Sequence, residues 1–143
     1  TPWRGAAGRA RMGRARPGAP MPYEPPAYDP GNVFARLLRG EIPSRPLLDT
    51  PHALAFADRA PQAPVHALLI PKGAYTDLAD FAARASAEEQ AGFLAALAEL
   101  VGALGLEGGF RAIANTGAHA HQEVPHFHLH VLGGEPIGPL RAR

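Results

Sequence analysis

Apolar and polar residues alternate strictly from His126 to Val131, with Phe127, Leu129 and Val131 on one side and His126, His128 and His130 on the other. A period of two belongs to a β-strand, whose successive side chains point to opposite faces. The pattern predicts a strand over Val124–Leu132 with three imidazoles in a row, about 6.5–7 Å apart. Val65–Ile70 is nearly all apolar and predicts a central covered strand, interrupted by His66. Leu47–Thr50 and Ala53–Asp58 read as a hairpin, Arg59–Pro64 as a proline-bounded loop, Gly109–Asn115 as a fourth strand and Gly117–His121 as a loop. Helical spacing occurs twice. Asn32 can cap a short helix over Val33–Arg39 that puts Val33, Phe34, Leu37 and Leu38 on one face and ends at Gly40. Ser86 and Glu89 form a capping-box pair opening a helix that runs to about Leu104, where Gly105 stops it. Its expected apolar stripe is Phe93, Leu94, Leu97, Leu100, Val101 and Leu104. A short helical turn near Asp77–Phe81 precedes it. Strands before and after one long helix argue an α+β fold, a five-stranded antiparallel sheet with two main helices.

With 143 residues, of which 46% are hydrophobic, the chain fits one globular domain with a real core. It has no apolar run near 18 residues, so no membrane span is expected. The absence of cysteine excludes disulfides and Cys-based zinc sites and is compatible with a cytoplasmic location. The net charge of +1 hides an asymmetry. Residues 1–20 carry five arginines and no acid, so nine bases face all 13 acids in the remainder. That start is rich in Gly, Ala and Pro and lacks a core-forming pattern. Residues 1–29 are expected to be a disordered tail, and residues 30–143 the folded domain. Residues 1–20 read as an extension upstream of Met21, not as a nucleic-acid-binding arm. They lack the apolar stretch of a secretory signal.

Histidine titrates near neutral pH, so three on one face suit either a metal or the transfer of protons and phosphoryl groups. Read alone, the alternation also fits zinc, because three His and a water make an open catalytic site. The flanks favour the second chemistry. His126 to Leu132 resembles the signature of the histidine triad (HIT) nucleotide-binding hydrolases and transferases. Gln122-Glu123-Val124-Pro125 before it and Gly133-Gly134 after it look like the HINT branch. Phe34 to Pro43, Leu54–Asp58, Pro61–His66, Ile70-Pro71-Lys72, Asn115-Thr116-Gly117 and Gly138-Pro139-Leu140 fit the same family. The likeness spans about residues 31–140.

That resemblance implies a homodimer with one continuous ten-stranded sheet, its interface made by the long helix and the fourth strand. It implies a purine nucleoside phosphoramidase or a related nucleotide hydrolase acting without metal or cofactor. Hydrolysis of dinucleoside polyphosphates, or nucleotide binding with weak catalysis, are the alternatives. His128 would attack the α-phosphorus and carry the nucleotidyl group, His130 would donate to a phosphate oxygen, and His126 would support both. Gln122 would contact the phosphate, and His66 would bond near the phosphate or the triad. Asn115 would bind ribose or phosphate. Asp58 suits the ribose hydroxyls, since a carboxylate can accept from two vicinal OH groups. Phe34, Leu37, Phe56 and Leu68 would form an apolar slot for the purine. Glu123 stands where some relatives have a serine that protonates the leaving amine; it is expected mainly to anchor the loop beside Pro125. Lys72 is expected at a strand end facing solvent. Ala74, His119 and His121 depart from the family's pattern.

Overall fold

In the computed structural model, residues 13, 17–18 and 21–141 are described. Asn32 opens helix α1 (Val33–Leu38), its side chain accepting from the Ala35 N–H at 2.9 Å. Then come β1 (Leu48–Asp49), β2 (Ala53–Ala57) and β3 (Val65–Pro71). Asp77 caps α2 (Leu78–Arg84), a full short helix where the sequence suggested a turn. Ser86 and Glu89 form the expected reciprocal capping box of α3 (Ala87–Leu104). Gly105 ends α3 in the left-handed conformation, φ 65°, which glycine adopts without steric cost. Strands β4 (Phe110–Ile113) and β5 (Leu129–Gly133) complete an antiparallel sheet in the order β1-β2-β3-β5-β4.

The pleat sorts side chains into two layers. Ala53, Ala55, Ala67, Leu69 and Val131 face α2 and α3, meeting Phe81, Phe93, Ala96 and Leu100. Leu54, Leu68 and Ile70 face the other way and pack on Phe34 of α1, with Leu37 and Phe56 around them. Fully buried side chains such as Leu69, Ile70 and Leu100 each contribute roughly 1.5–3 kcal/mol. Phe81, Phe93 and Phe127 form a ring cluster with centroids 5.0–5.3 Å apart under the start of β5.

Three expectations need correction. Leu94 is 64% exposed; the inward face of α3 runs through Phe93, Ala96 and Leu100, and Leu94 lies outside that arc. The last strand begins at Leu129, not Val124. The Phe127 N–H donates to the Tyr75 carbonyl and the His126 carbonyl accepts from the His128 ring, so the backbone bends through Val124–His126 and joins β3 only from Leu129. Residues 21–29, expected as part of a disordered tail, lie against the domain. The Tyr23 hydroxyl donates to Asp77 at 2.8 Å, and the Thr76 hydroxyl donates to the Pro26 carbonyl at 2.9 Å. Most of residues 1–20, on which the rest of that expectation falls, lie outside the described residues.

Candidate active site

Helix α1, the loop that follows it, the outer face of β2 and β3, and Glu123–Val124 form a cleft of about 540 Å³, whose apolar lining is Phe34, Leu37, Phe56, Leu68, Val33 and Ile42. Its apolar floor is the slot expected for a planar base. Phe34, Asp58, Leu68, Glu123 and Val124 also line an adjoining space of about 250 Å³, which holds His128, His130, Asn115 and Gln122. Asp58 therefore stands where the apolar slot meets the histidines. The Phe34 ring meets His128 edge-on, with centroids 5.1 Å apart.

Hydrogen bonds to groups of fixed polarity settle the proton on each imidazole. A carbonyl only accepts, so His128 Nδ1, 2.7 Å from the His126 carbonyl oxygen, carries the hydrogen. The neutral ring then has its lone pair on Nε2, which bonds to none of the described residues. The Gln62 N–H donates to His66 Nδ1 at 3.0 Å, which puts the His66 hydrogen on Nε2. That Nε2–H donates to His130 Nδ1 at 2.9 Å, leaving the His130 hydrogen on Nε2. Two neighbouring rings, 5.2 Å apart, thus offer opposite groups: a lone pair on His128 and an N–H on His130.

Burial maintains the neutral forms. Desolvation pushes the His128 pKa down, against the upward pull of its bond to the His126 carbonyl and of Asp58 and Glu123. Desolvation also lowers His130, helped by the nearby His128 and His66 rings. The most deeply buried, His126, is pushed down to about 4 by desolvation. It does not reach the cleft. Its Nε2 lies 2.9 Å from the Pro71 carbonyl and its Nδ1 lies 2.7 Å from the Tyr28 hydroxyl. The expected row of three is therefore two working faces and one buried support. Tyr28, at the end of the supposed tail, gave no signal in the residue pattern.

Other expected residues divide similarly. His66 backs His130 and does not line the cleft, so it serves the triad and not the substrate directly. Asn115 lines the histidine end of the cleft. Gln122 lines it too, but both side-chain N–H groups are committed, to the Thr76 and Val124 carbonyls, and its oxygen accepts from Gly117. It therefore fixes the loop and offers the phosphate no free side-chain donor. Glu123 has a 75% exposed side chain, 3.1 Å from His121. The His121 side chain is itself 87% exposed, so this pair adds little to holding the loop. His121 holds φ 56°, an uncommon conformation for a non-glycine residue. Lys72 pairs with Asp49 away from the cleft. Asp58 Oδ2 lies 3.4 Å from His66 Nε2 and 3.9 Å from His130 Nδ1. These three donor atoms could hold a metal ion, all lying within 4.8 Å of one another. In the neutral arrangement the His66 Nε2–H is already directed at His130, and a cation would have to displace that proton.

The cleft thus joins an apolar slot to an imidazole lone pair and an imidazole N–H, an arrangement able to present a nucleophile and a hydrogen-bond donor side by side. The HIT domain family model matches residues 39–137, and the chain belongs to that family. It is 56% identical over 112 residues to a 13.2 kDa HIT-like protein of Azospirillum brasilense, covering 78% of this chain and 92% of that one. It is 39% identical over 113 residues to the purine nucleoside phosphoramidase of Escherichia coli K12, covering 77% of this chain and 92% of the relative. A HIT family hydrolase structure from Clostridium thermocellum superposes with a TM-score of 0.70 at 34% identity, covering 76% of this chain and 95% of that one. These structural likenesses bear out the expected α+β fold with its five-stranded sheet and two main helices. Among the described residues, no helix is long and apolar enough to cross a membrane.

Proposed function

We propose that the protein hydrolyses purine nucleoside phosphoramidates and related adenylylated adducts at the α-phosphorus, through a nucleotidyl-His128 intermediate. The observation that carries this reading is the opposite polarity of His128 and His130 beside an apolar slot. The base enters between Phe34, Leu37, Phe56 and Leu68, and the ribose hydroxyls donate to Asp58. His128 Nε2 attacks phosphorus as the P–N bond breaks; the departing nitrogen takes one proton from solvent water at the open mouth of the cleft beside Glu123 and leaves as the amine. The His130 Nε2–H donates to a phosphate oxygen as charge builds there, the preorganised stabilisation such transfers need. Water then attacks the same phosphorus and releases one proton to solvent, the P–Nε2 bond breaks, and the nucleoside monophosphate departs with the imidazole neutral again. No step calls for a metal.

The relative named as a purine nucleoside phosphoramidase supports the choice of substrate. A homodimer is part of the same reading. Among the described residues β4 is a sheet edge whose outer row of backbone groups pairs with no strand; Phe110 on it is 43% exposed and Leu94 on α3 is 64% exposed. The test is rapid-quench assay of adenosine 5′-phosphoramidate, an acyl-adenylate and a diadenosine polyphosphate, with labelled protein trapped in alkaline denaturant, where a P–N bond to histidine survives. Burst labelling of the wild type and preferred turnover of the phosphoramidate are expected. Turnover without a labelled intermediate, or a clear preference for the polyphosphate, would overturn the reading.

A further inference from the structure

His126 is fully buried and touches no cleft, yet its main chain holds the nucleophile. Its carbonyl oxygen is the acceptor that places the His128 hydrogen on Nδ1. The ring of His126 is held at both ends. Nε2 lies 2.9 Å from the Pro71 carbonyl, at the end of β3, so that nitrogen carries the hydrogen. The buried ring is neutral, which leaves a lone pair on Nδ1. The Tyr28 hydroxyl, 2.7 Å away, must therefore donate to it. The Tyr28 ring also packs edge-on against His126, with centroids 5.6 Å apart.

Tyr28 is not loosely placed. Two residues earlier, the Pro26 carbonyl accepts from the Thr76 hydroxyl, and Tyr23 reaches Asp77 Oδ2. Asp77 uses its other oxygen to cap α2 through the Asp80 N–H at 2.8 Å. Residues 23–28 are thus tied to the segment between β3 and α2, the same segment whose Tyr75 carbonyl accepts from the Phe127 N–H. The N-terminal segment and the backbone around the nucleophile share one frame.

We propose that Tyr28 is a positioning residue for the reaction: its hydroxyl fixes the His126 ring, and the His126 carbonyl in turn fixes the tautomer and aim of His128. Tyr28 lines neither the base slot nor the phosphate end, so it acts on the chemical step and not on substrate binding. Without the hydroxyl, His126 Nδ1 becomes a buried acceptor with no donor, a costly arrangement. The ring loses its hold at that end and rocks about its remaining bond to the Pro71 carbonyl, and its peptide carbonyl moves with it.

The proposal rests on His128 being the nucleophile, so its test has one readout that needs no substrate. Nitrogen-15 NMR of the imidazoles should show His126 protonated on Nε2, with Nδ1 accepting a hydrogen bond, and His128 protonated on Nδ1. In Tyr28→Phe, which keeps the ring packing, the His126 Nδ1 signal should move to that of an unbonded nitrogen and His128 should populate both tautomers. The kcat for adenosine phosphoramidate should fall about tenfold, the scale of one buried hydrogen bond, with KM within about twofold. A wild-type His126 protonated on Nδ1 would overturn the proposal, and so would Tyr28→Phe with unaltered kcat, even if its melting point fell. Absence of phosphoramidate turnover in the wild type, with the nitrogen signals as expected, would sink the substrate assignment and leave the tyrosine's control of the tautomer standing.

Discussion

His128 is the group whose removal should separate chemistry from binding. The base slot and Asp58 do not depend on it, and its Nε2 carries no structural bond. His128→Ala should lower kcat by at least about 10³-fold while nucleoside monophosphate affinity stays within about threefold by calorimetry. Activity within tenfold of wild type would remove His128 as nucleophile. The buried histidines also make stability depend on pH. His126, His128 and His130 all have native pKa values pushed below the ordinary 6.5 by burial. Between 6.5 and the native value the unfolded chain binds more protons, so stability is full above pH 6.5 and falls as pH drops toward about 4. For His126 alone the full effect is on the order of 3 kcal/mol. The thermal midpoint should therefore decline steadily from pH 7 to pH 4.5, before carboxylate protonation dominates. A flat profile over that range would show that the rings do not stay neutral in the native state.

At the scale of elements, α3 is set by its first turn. Ser86 accepts from the Glu89 N–H, Glu89 accepts from the Ser86 N–H, and the Tyr75 hydroxyl also bonds that carboxylate at 2.7–2.8 Å. Ser86→Ala should cost about 1 kcal/mol and lower the thermal midpoint by about 3 °C with kcat unchanged. A loss of activity would mean that α3 reaches the site. This box was readable in the sequence, as were the α1 cap at Asn32, the central strand and the histidine alternation, because each is a local pattern. What was not readable depended on distant partners. The alternation of His126 and His128 looks like strand, but their backbone answers to Tyr75 and to a side chain two residues on. Gln122 was expected at the phosphate, and only the folded loop shows its amide engaged three times. Tyr28 sits 98 residues from its partner, in a stretch whose composition suggested nothing but a tail.

At the scale of the whole molecule, Leu94 on α3 and Phe110 on β4 each leave apolar surface exposed. If that surface joins two copies, sedimentation should give twice the chain mass at micromolar concentration. Leu94→Glu combined with Phe110→Glu should shift the protein to monomer, because burying two carboxylates without partners is prohibitive. A wild-type protein that sediments as a monomer would refute the dimer.

The two-layer sorting of the sheet has a consequence for how this chain can drift. His130 and Val131 are neighbours in sequence but belong to opposite worlds, one wet and reactive, the other dry and packed under α3. Replacing either residue alters one position. Adding or losing a single residue between Leu129 and Leu132 exchanges the two environments for everything downstream in the strand. An imidazole would enter the core and a valine would face the phosphate. Length should therefore be far more tightly held here than identity. One inserted alanine after Leu129 should lower the urea midpoint more than His130→Ala does. An insertion variant as stable as that substitution would show that the strand can absorb the extra residue in a bulge.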